Sequence, residues 1–396
     1  VKASAGGCPP PTSRRRFGDA ADETGADISS SQTVRPSTLG PVRQTYAGAD
    51  DFPPIAKAYV QVSGVVREMG LFRRARGFYA LVGAALALAL GAAIACFVLL
   101  GESWFQLLIA ACLGVIFTQV AFLAHEAAHR QILASGPAND RLGVVLAGAI
   151  GMSMAWWDRK HSRHHANPNR VGKDPDIAVD TISFLEEDAA RARGLRRLIT
   201  RQQGWLFFPL LLLEGVNLHV QSVIALCARG PVKRRWVELA LLAVRFAVFL
   251  VPLFFVLPFG MAAAFLGVQL AVFGVYMGAS FAPNHKGMPV IAPDARLDFF
   301  SKQVRTSRNI RGGWWATALY GGLNHQIEHH LFPSMARPYL GKAREVVRDF
   351  CRSHDVPYVE ASMGESYAQV VAYLNRVGLA ARDPFVCPAA AGLGRA

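Results

Sequence analysis

Three short histidine windows, each beside a long apolar run, constrain this chain more than any other feature. They are His125-Glu-Ala-Ala-His129, His161-Ser-Arg-His164-His165 and Gln326-Ile-Glu-His329-His330, and they hold seven of the eleven histidines. Helical residues three and four apart share a face, so each window aims its imidazoles one way. Neutral imidazole is the commonest side-chain metal ligand. A fold that uses all three windows for one site must bring the ends of several apolar segments to the same side.

Those segments are long enough to cross a bilayer. Hydrophobic residues make up 52% of the chain, charged residues only 18%, and mean hydropathy is +0.25. Such values fit a polytopic membrane protein with a substantial extramembrane part. Residues 78–100 and 104–124 form one expected helical hairpin, and 236–257 and 261–282 a second. Basic residues flank the open ends (Arg73, Arg74, Arg76, Arg130, Lys233 to Arg235, Lys286) and are missing from the turns. The open ends are therefore expected on the cytoplasmic face of a bacterial inner membrane or its equivalent.

Two further apolar runs, 142–157 and 205–227, complicate the count. If the first crossed, the first and second windows would face opposite compartments. If the second crossed, the third window would be cut off from the others. Both are expected to re-enter or lie in the interface. The expected fold is an all-α membrane protein with four transmembrane helices in two hairpins, interfacial helices and a cytoplasmic helical cap carrying the histidines.

Residues 1–50 read as a disordered polar segment without the apolar core of a secretory signal. Residues 51–360 read as one domain with a surface helix at 338–353, and 361–396 as a C-terminal tail. The net charge of +14 suits loops that face anionic lipid; the cations gather beside apolar spans, which argues against a nucleic-acid partner. The six cysteines form no CxxC pair, and Cys96, Cys112 and Cys227 lie inside apolar runs. Neither a disulfide framework nor a thiolate metal site is expected.

The first window also spells HExxH, in which two histidines hold zinc and Glu126 activates water. One zinc takes about three protein ligands, which leaves His161, His164, His165, His329 and His330 unused. A reversible metal carrier is another reading. Many nitrogen donors and few clustered carboxylates favour two irons held mainly by imidazole. Beside a bilayer the natural substrate is an acyl chain, whose unactivated C–H bonds need an oxidant that side chains do not supply.

A ligating histidine usually donates its other N–H to a carboxylate, carbonyl or amide. Glu126, Asn167, Asp174, Asp176, Asn284 and Glu328 are the candidates. Trp156 and Trp157 line an acyl slot or anchor the chain at the interface. Arg245, inside the third span, snorkels or meets a headgroup. His219 lies off the polar stripe formed by Glu214, Asn217 and Gln221, and His354 ends a soluble-looking helix. His325 precedes Gln326 and points about 100° away on a helix, so packing, or orienting a neighbouring ligand, is its expected role.

The windows, their order and the two hairpins resemble the membrane fatty acid desaturase family over residues 50–360. The stretch from Leu323 to Pro333 resembles the front-end branch, in which Gln replaces the first histidine of the last box. The resemblance implies that His125, His129, His161, His164, His165, His329 and His330 ligate two irons, with Gln326 at or near a ligand position. His285 matches a further family ligand outside the boxes. The implied reaction is O2-dependent desaturation of an acyl-CoA or acyl-lipid, with a hydroxylase on the same scaffold as the alternative. No His-Pro-Gly-Gly stretch of a fused haem domain is present, so a separate ferredoxin or flavoprotein reductase is the implied electron donor.

Overall fold

The computed structural model describes residues 46–48, 55 and 57–382. Most of the segment 1–50, and residues 383–396 of the expected tail, lie outside the described residues. Among the described residues of 1–50, Ala47 bridges to Ile291, its N–H donating to the Val290 carbonyl at 2.8 Å.

The described residues are mostly helical. α1 (Ala58–Glu68) lies ahead of a hairpin of α2 (Arg76–Leu100) and α3 (Gln106–Ala128). Then come α4 (Gly136–Ala149), α5 (Met154–Ala166), α6 (Glu186–Ala190), α7 (Gly194–Arg201), α8 (Gln203–Leu210) and α9 (Glu214–Cys227). α10 (Arg235–Val256) and α11 (Phe259–His285) make the second hairpin. The cap continues with α12 (Phe299–Arg305), β1 (Asn309–Ile310), α13 (Trp314–Leu319), α14 (Gln326–Leu331), α15 (Arg337–Ser353), β2 (Glu360–Ala361) and α16 (Met363–Leu379).

Among the described residues five helical stretches are long and apolar enough to cross a membrane: α2, α3, 203–227, α10 and α11. The protein is an integral membrane protein. Its apolar side chains face outward along α2 and α10, where Leu88 is 75% and Phe255 89% exposed, as a bilayer solvent permits. α3 is the central post. Ala110, Leu113, Phe117 and Ala121 bury one core with Phe265, Phe273 and Met277 of α11.

The 142–157 run is not one helix. α4 ends at Ala149, Gly151 turns the chain at φ +82°, and α5 starts afresh at Met154. Nor is 203–227 continuous: Pro209 lies inside α8, and a short 3-10 turn, Leu211–Leu213, separates it from α9. The missing proline N–H and the tighter turn break the ladder there. Both ends of this stretch are tied to elements next to the histidines. Gln203 donates to the Ser183 and Leu374 carbonyls. Beyond Cys227, Arg234 donates to the Asp140 carbonyl at 3.1 Å, and Asp140 pairs with Arg130, the residue after the first window.

The expected boundary at 360 falls inside the cap. β1 and β2 pair in parallel through Asn309 with Glu360 and Ile310 with Ala361. α16, placed in a tail by sequence, opens on a capping box of Ser362 and Glu365 and buries Val370, Leu374 and Val377 against Phe207 and Leu211. The sequence 361–379 carries no long apolar run, only one buried face of a helix.

α9 and the 3-10 turn reach α11 through backbone contact. A side chain at Gly215 would strike the Leu270 carbonyl, and one at Gly274 would strike Gly215 and Leu211 backbone. Gly274→Leu should therefore push α9 off α11 and destabilise the protein by about 1–3 kcal/mol. Thermal unfolding in detergent should show a lowered midpoint, whereas Gly260→Leu, where nothing lies nearby, should leave it unchanged.

Candidate metal centre

The histidines reach one place because four helix segments end or pass there. His125 lies in the last turn of α3 and His129 caps it. His161, His164 and His165 lie on α5, His329 and His330 on α14, and His285 closes α11.

Together they form two groups. His125, His129, His161, His165 and His329 bring one ligand atom each within 4.8 Å of one another, and His164, His285 and His330 do the same. α5 and α14 serve both groups. About the α5 axis His161 and His165 lie about 40° apart, with His164 about 60° from the first and about 100° from the second, and on α14 His330 lies about 100° from His329; His164 and His330 enter the second group.

The Nε2 atoms face inward. His129 and His161 approach at 2.9 Å, His125 and His161 at 3.2 Å, and His165 and His329 at 3.1 Å. In the second group His285 Nε2 lies 3.2 Å from His164 Nε2 and 3.1 Å from His330 Nε2, with the Gln326 amide end 2.9 Å away. In this second group the outer nitrogens have partners that fix the tautomer. His164 Nδ1–H donates to Asp174 at 3.0 Å, His285 Nδ1–H to the Thr306 carbonyl at 2.9 Å, and His330 Nδ1–H to Gln303 Oε1 at 2.9 Å. That leaves each Nε2 with a bare lone pair.

Protonation does not relieve the crowding. Burial, then the neighbouring imidazoles, hold His161, His165, His329 and His330 well below the ordinary histidine value. Neutral lone pairs facing across 3 Å repel, and a cation between them removes the conflict. Ligands about 2.1 Å from one ion and at right angles stand about 3 Å apart. The side chains thus fit metal ions, and the all-nitrogen set suits a transition metal. His164 differs: burial lowers its affinity for protons, but Asp174 and Asp176, at 3.0 and 3.4 Å, raise it overall. A more basic imidazole is a stronger ligand.

A cavity of about 440 Å3 opens on both groups. His161, His164, His285 and Gln326 touch it on one side; Trp156, Trp157, Leu211, Met277 and Phe281 supply apolar wall. Trp157 stacks on His161 with ring centres 4.2 Å apart. Its mouth carries Lys160, paired with Asp176 at 3.1 Å.

Among the expected orienting groups, Asp174 and Asp176 meet His164, and Asn284 donates to Gln326 Oε1 at 3.1 Å. Three do otherwise. Asn167 ends α5 through its backbone N–H, and Asn169 takes the structural role instead: its N–H donates to Asp174 at 2.7 Å and its Nδ2 to the His285 carbonyl at 3.0 Å. Glu126 points away from the imidazoles and is buried in an ion pair with Arg337 at 2.6 Å, with Tyr79 O–H donating to it. Glu328 accepts from Tyr358 and Asn309, pinning α14 to β1; burial pushes its carboxyl up to about 7 against those hydrogen bonds.

The remaining histidines stay outside the groups. His325 packs near Gly341 and Thr317, with burial lowering it to about 4. His219 donates Nδ1–H to the Gly215 carbonyl and packs on Phe246; His354 stacks on Phe350 at the surface. Arg245 lies over the Phe117 and Phe249 rings.

Sequence reasoning missed Gln303, which also donates to the His165 carbonyl at 2.9 Å and so joins both groups. It missed Asn309, Tyr358 and Arg337 as well. None sits at a recognisable spacing from a window, and only the folded cap brings them in.

Comparison with known proteins shows the family. The family model described as fatty acid desaturase matches residues 102–362. The chain is 28% identical to a Delta(8)-fatty-acid desaturase of Helianthus annuus over 72% of this chain and 65% of that one. It is 28% identical to Delta(8)-fatty-acid desaturase 2 of Arabidopsis thaliana (83% and 76% covered) and 30% identical to an acyl-lipid (9-3)-desaturase of Borago officinalis (70% and 65%). The chain therefore spans about two thirds of the length of the sunflower and borage relatives.

Gln303→Ala should free the His330 ring and weaken metal retention roughly 10–100-fold. Metal per chain after dialysis against a chelator, read by mass spectrometry, should fall. His325→Leu should leave it at the wild-type level.

Proposed function

Because the chain belongs to the fatty acid desaturase family, we propose that it inserts a cis double bond into a fatty acyl chain. The proposed ligands of two irons are His125, His129, His161, His165 and His329 for one, and His164, His285, His330 and the adjacent Gln326 for the other. The observation that carries the reading is a cavity with an apolar wall that touches imidazoles of both groups. Iron held there supplies the O2-derived oxidant that side chains lack.

The chain's own residues bind and orient. Trp157, Leu211, Met277 and Phe281 sequester methylenes, each buried CH2 contributing about 0.8 kcal/mol. Water is excluded from the apolar end, which protects the reacting carbon. Two hydrogens leave neighbouring carbons; with two electrons from an outside donor and two protons, O2 becomes two waters. A separate ferredoxin or flavoprotein reductase is the proposed donor. The relatives' names support an acyl-lipid substrate and a front-end position, nearer the carboxyl end than an existing double bond.

Four crossings, by α2, α3, α10 and α11, are the proposed topology, with 203–227 in the interface. The ties of Gln203 to the cap and of Arg234 to Asp140 support both ends of that stretch lying on the histidine side. The basic residues near these ends support a cytoplasmic face. The zinc-protease reading is disfavoured because Glu126, its required base, is held by Arg337.

Gas chromatography–mass spectrometry of a host expressing the chain with a ferredoxin and its reductase tests the proposal. A new unsaturated acid, its bond located by derivatisation, is expected, and it should vanish in His165→Ala and His161→Ala strains. A hydroxy acid in its place would transfer the chain to the hydroxylases, and a product that survives both substitutions would refute the metal assignment.

A further inference from the structure

We infer that Glu238 is a positioning residue for the second histidine window, clamping the start of α5 from a helix that contributes no imidazole. The inference rests on the metal reading above. Glu238 lies in the first turn of α10 and is 2% exposed. Its carboxylate accepts Ser153 O–H at 2.6 Å and the Ala155 N–H at 3.1 Å. Ser153 is the N-cap of α5, and its hydroxyl oxygen accepts the Trp156 N–H at 3.2 Å. Its own N–H donates to Ser222 of α9 at 3.0 Å. The start of α5 is thus tied to two other helices, through the Ala155 N–H to α10 and the Ser153 N–H to α9.

Among the described residues no lysine or arginine pairs with Glu238. A buried carboxylate without a cation is costly to keep. The positive end of α5 and its N–H groups offset that cost. A serine cap alone would satisfy an N-terminus; the added carboxylate from α10 fixes which way the helix faces and how deep it sits. That matters because α5 supplies imidazoles to both groups, His161 and His165 to one and His164 to the other. Such ligands tolerate displacement of only about 0.5 Å or rotation of 10–20°. His161 lies eight residues beyond Ser153, about 12 Å along the helix, so a small tilt at the cap is magnified at the imidazoles.

The test is a Co(II) titration of the metal-free full chain in detergent, followed by visible absorption, with unfolding midpoints measured on the same samples. Glu238→Ala should weaken Co(II) binding roughly tenfold or more and alter the absorption bands at both groups. Glu238→Gln, whose one amide oxygen can take the place of Oε2 and still accept from both Ser153 O–H and Ala155 N–H, should restore the bands and most of the affinity. Ser153→Ala, a milder cut of the same clamp, should shift both readouts in the same direction and carries the test if Glu238→Ala does not fold. A lowered midpoint with wild-type affinity and bands would mean that Glu238 only stabilises the fold, and would overturn the inference. A wild-type chain that develops no Co(II) bands would overturn the metal reading itself.

Discussion

The structure depends on holding neutral imidazoles with their lone pairs turned toward one another. Nε2 atoms stand 2.9–3.2 Å apart across two groups, and burial keeps the window imidazoles of α14 from taking up protons. Where Nδ1 carries the proton, as in the three-imidazole group, such contacts are repulsive without a cation, so that arrangement must be imposed from behind. Asp174, the Thr306 carbonyl and Gln303 do this directly by accepting Nδ1–H. Glu328, Asn309 and Asn169 do it one step further back, by fixing the segments that carry those partners.

The apolar bundle and the polar cap are joined where this constraint is strongest. Glu126, between two ligands on α3, meets Arg337, seven residues past His330, inside a pocket sealed by Tyr79 of α2. A buried ion pair adds little net stability, yet losing one partner leaves an uncompensated charge that costs about 3–5 kcal/mol. Its value is registry. Desolvation makes any mismatch between the first and third windows expensive, so α15 has one favourable seat on the bundle.

Much of this was legible from spacing. The i, i+3, i+4 pattern set each window on one helical face, the hairpins followed from apolar length, and parity required the windows on one side. His285 was recoverable only through family resemblance, because a lone histidine after a span has no pattern of its own. Which imidazole joins which group was not legible, since it depends on how α5 and α14 cross, a tertiary fact. Asn167 and Asn169 differ by one turn position that sequence does not resolve. Glu126 was assigned to an imidazole because its partner, Arg337, lies 211 residues away. α16 escaped notice because a helix buried on one face against a cap has neither the length nor the apolarity of a span.

The unequal burial of the two groups follows from the same architecture. The three-imidazole group sits beneath α12 and the Asn169 loop, and all its members are buried; in the five-imidazole group His129, His161 and His165 keep an exposed edge. The difference arises because α5 lies at the periphery, with its outward face of Arg159, Ser162 and Arg163 left to solvent, while α14 is wholly enclosed. An enclosed helix is located by packing on every side. A peripheral one is packed on one side only, and its rotation must be set at its ends. α5 has such fixings at both: Ser153 at its start, and Lys302 donating to the Ala166 carbonyl at its finish, at 2.6 Å. The polar contacts of the centre are thus concentrated where hydrophobic packing alone leaves a helix free to turn.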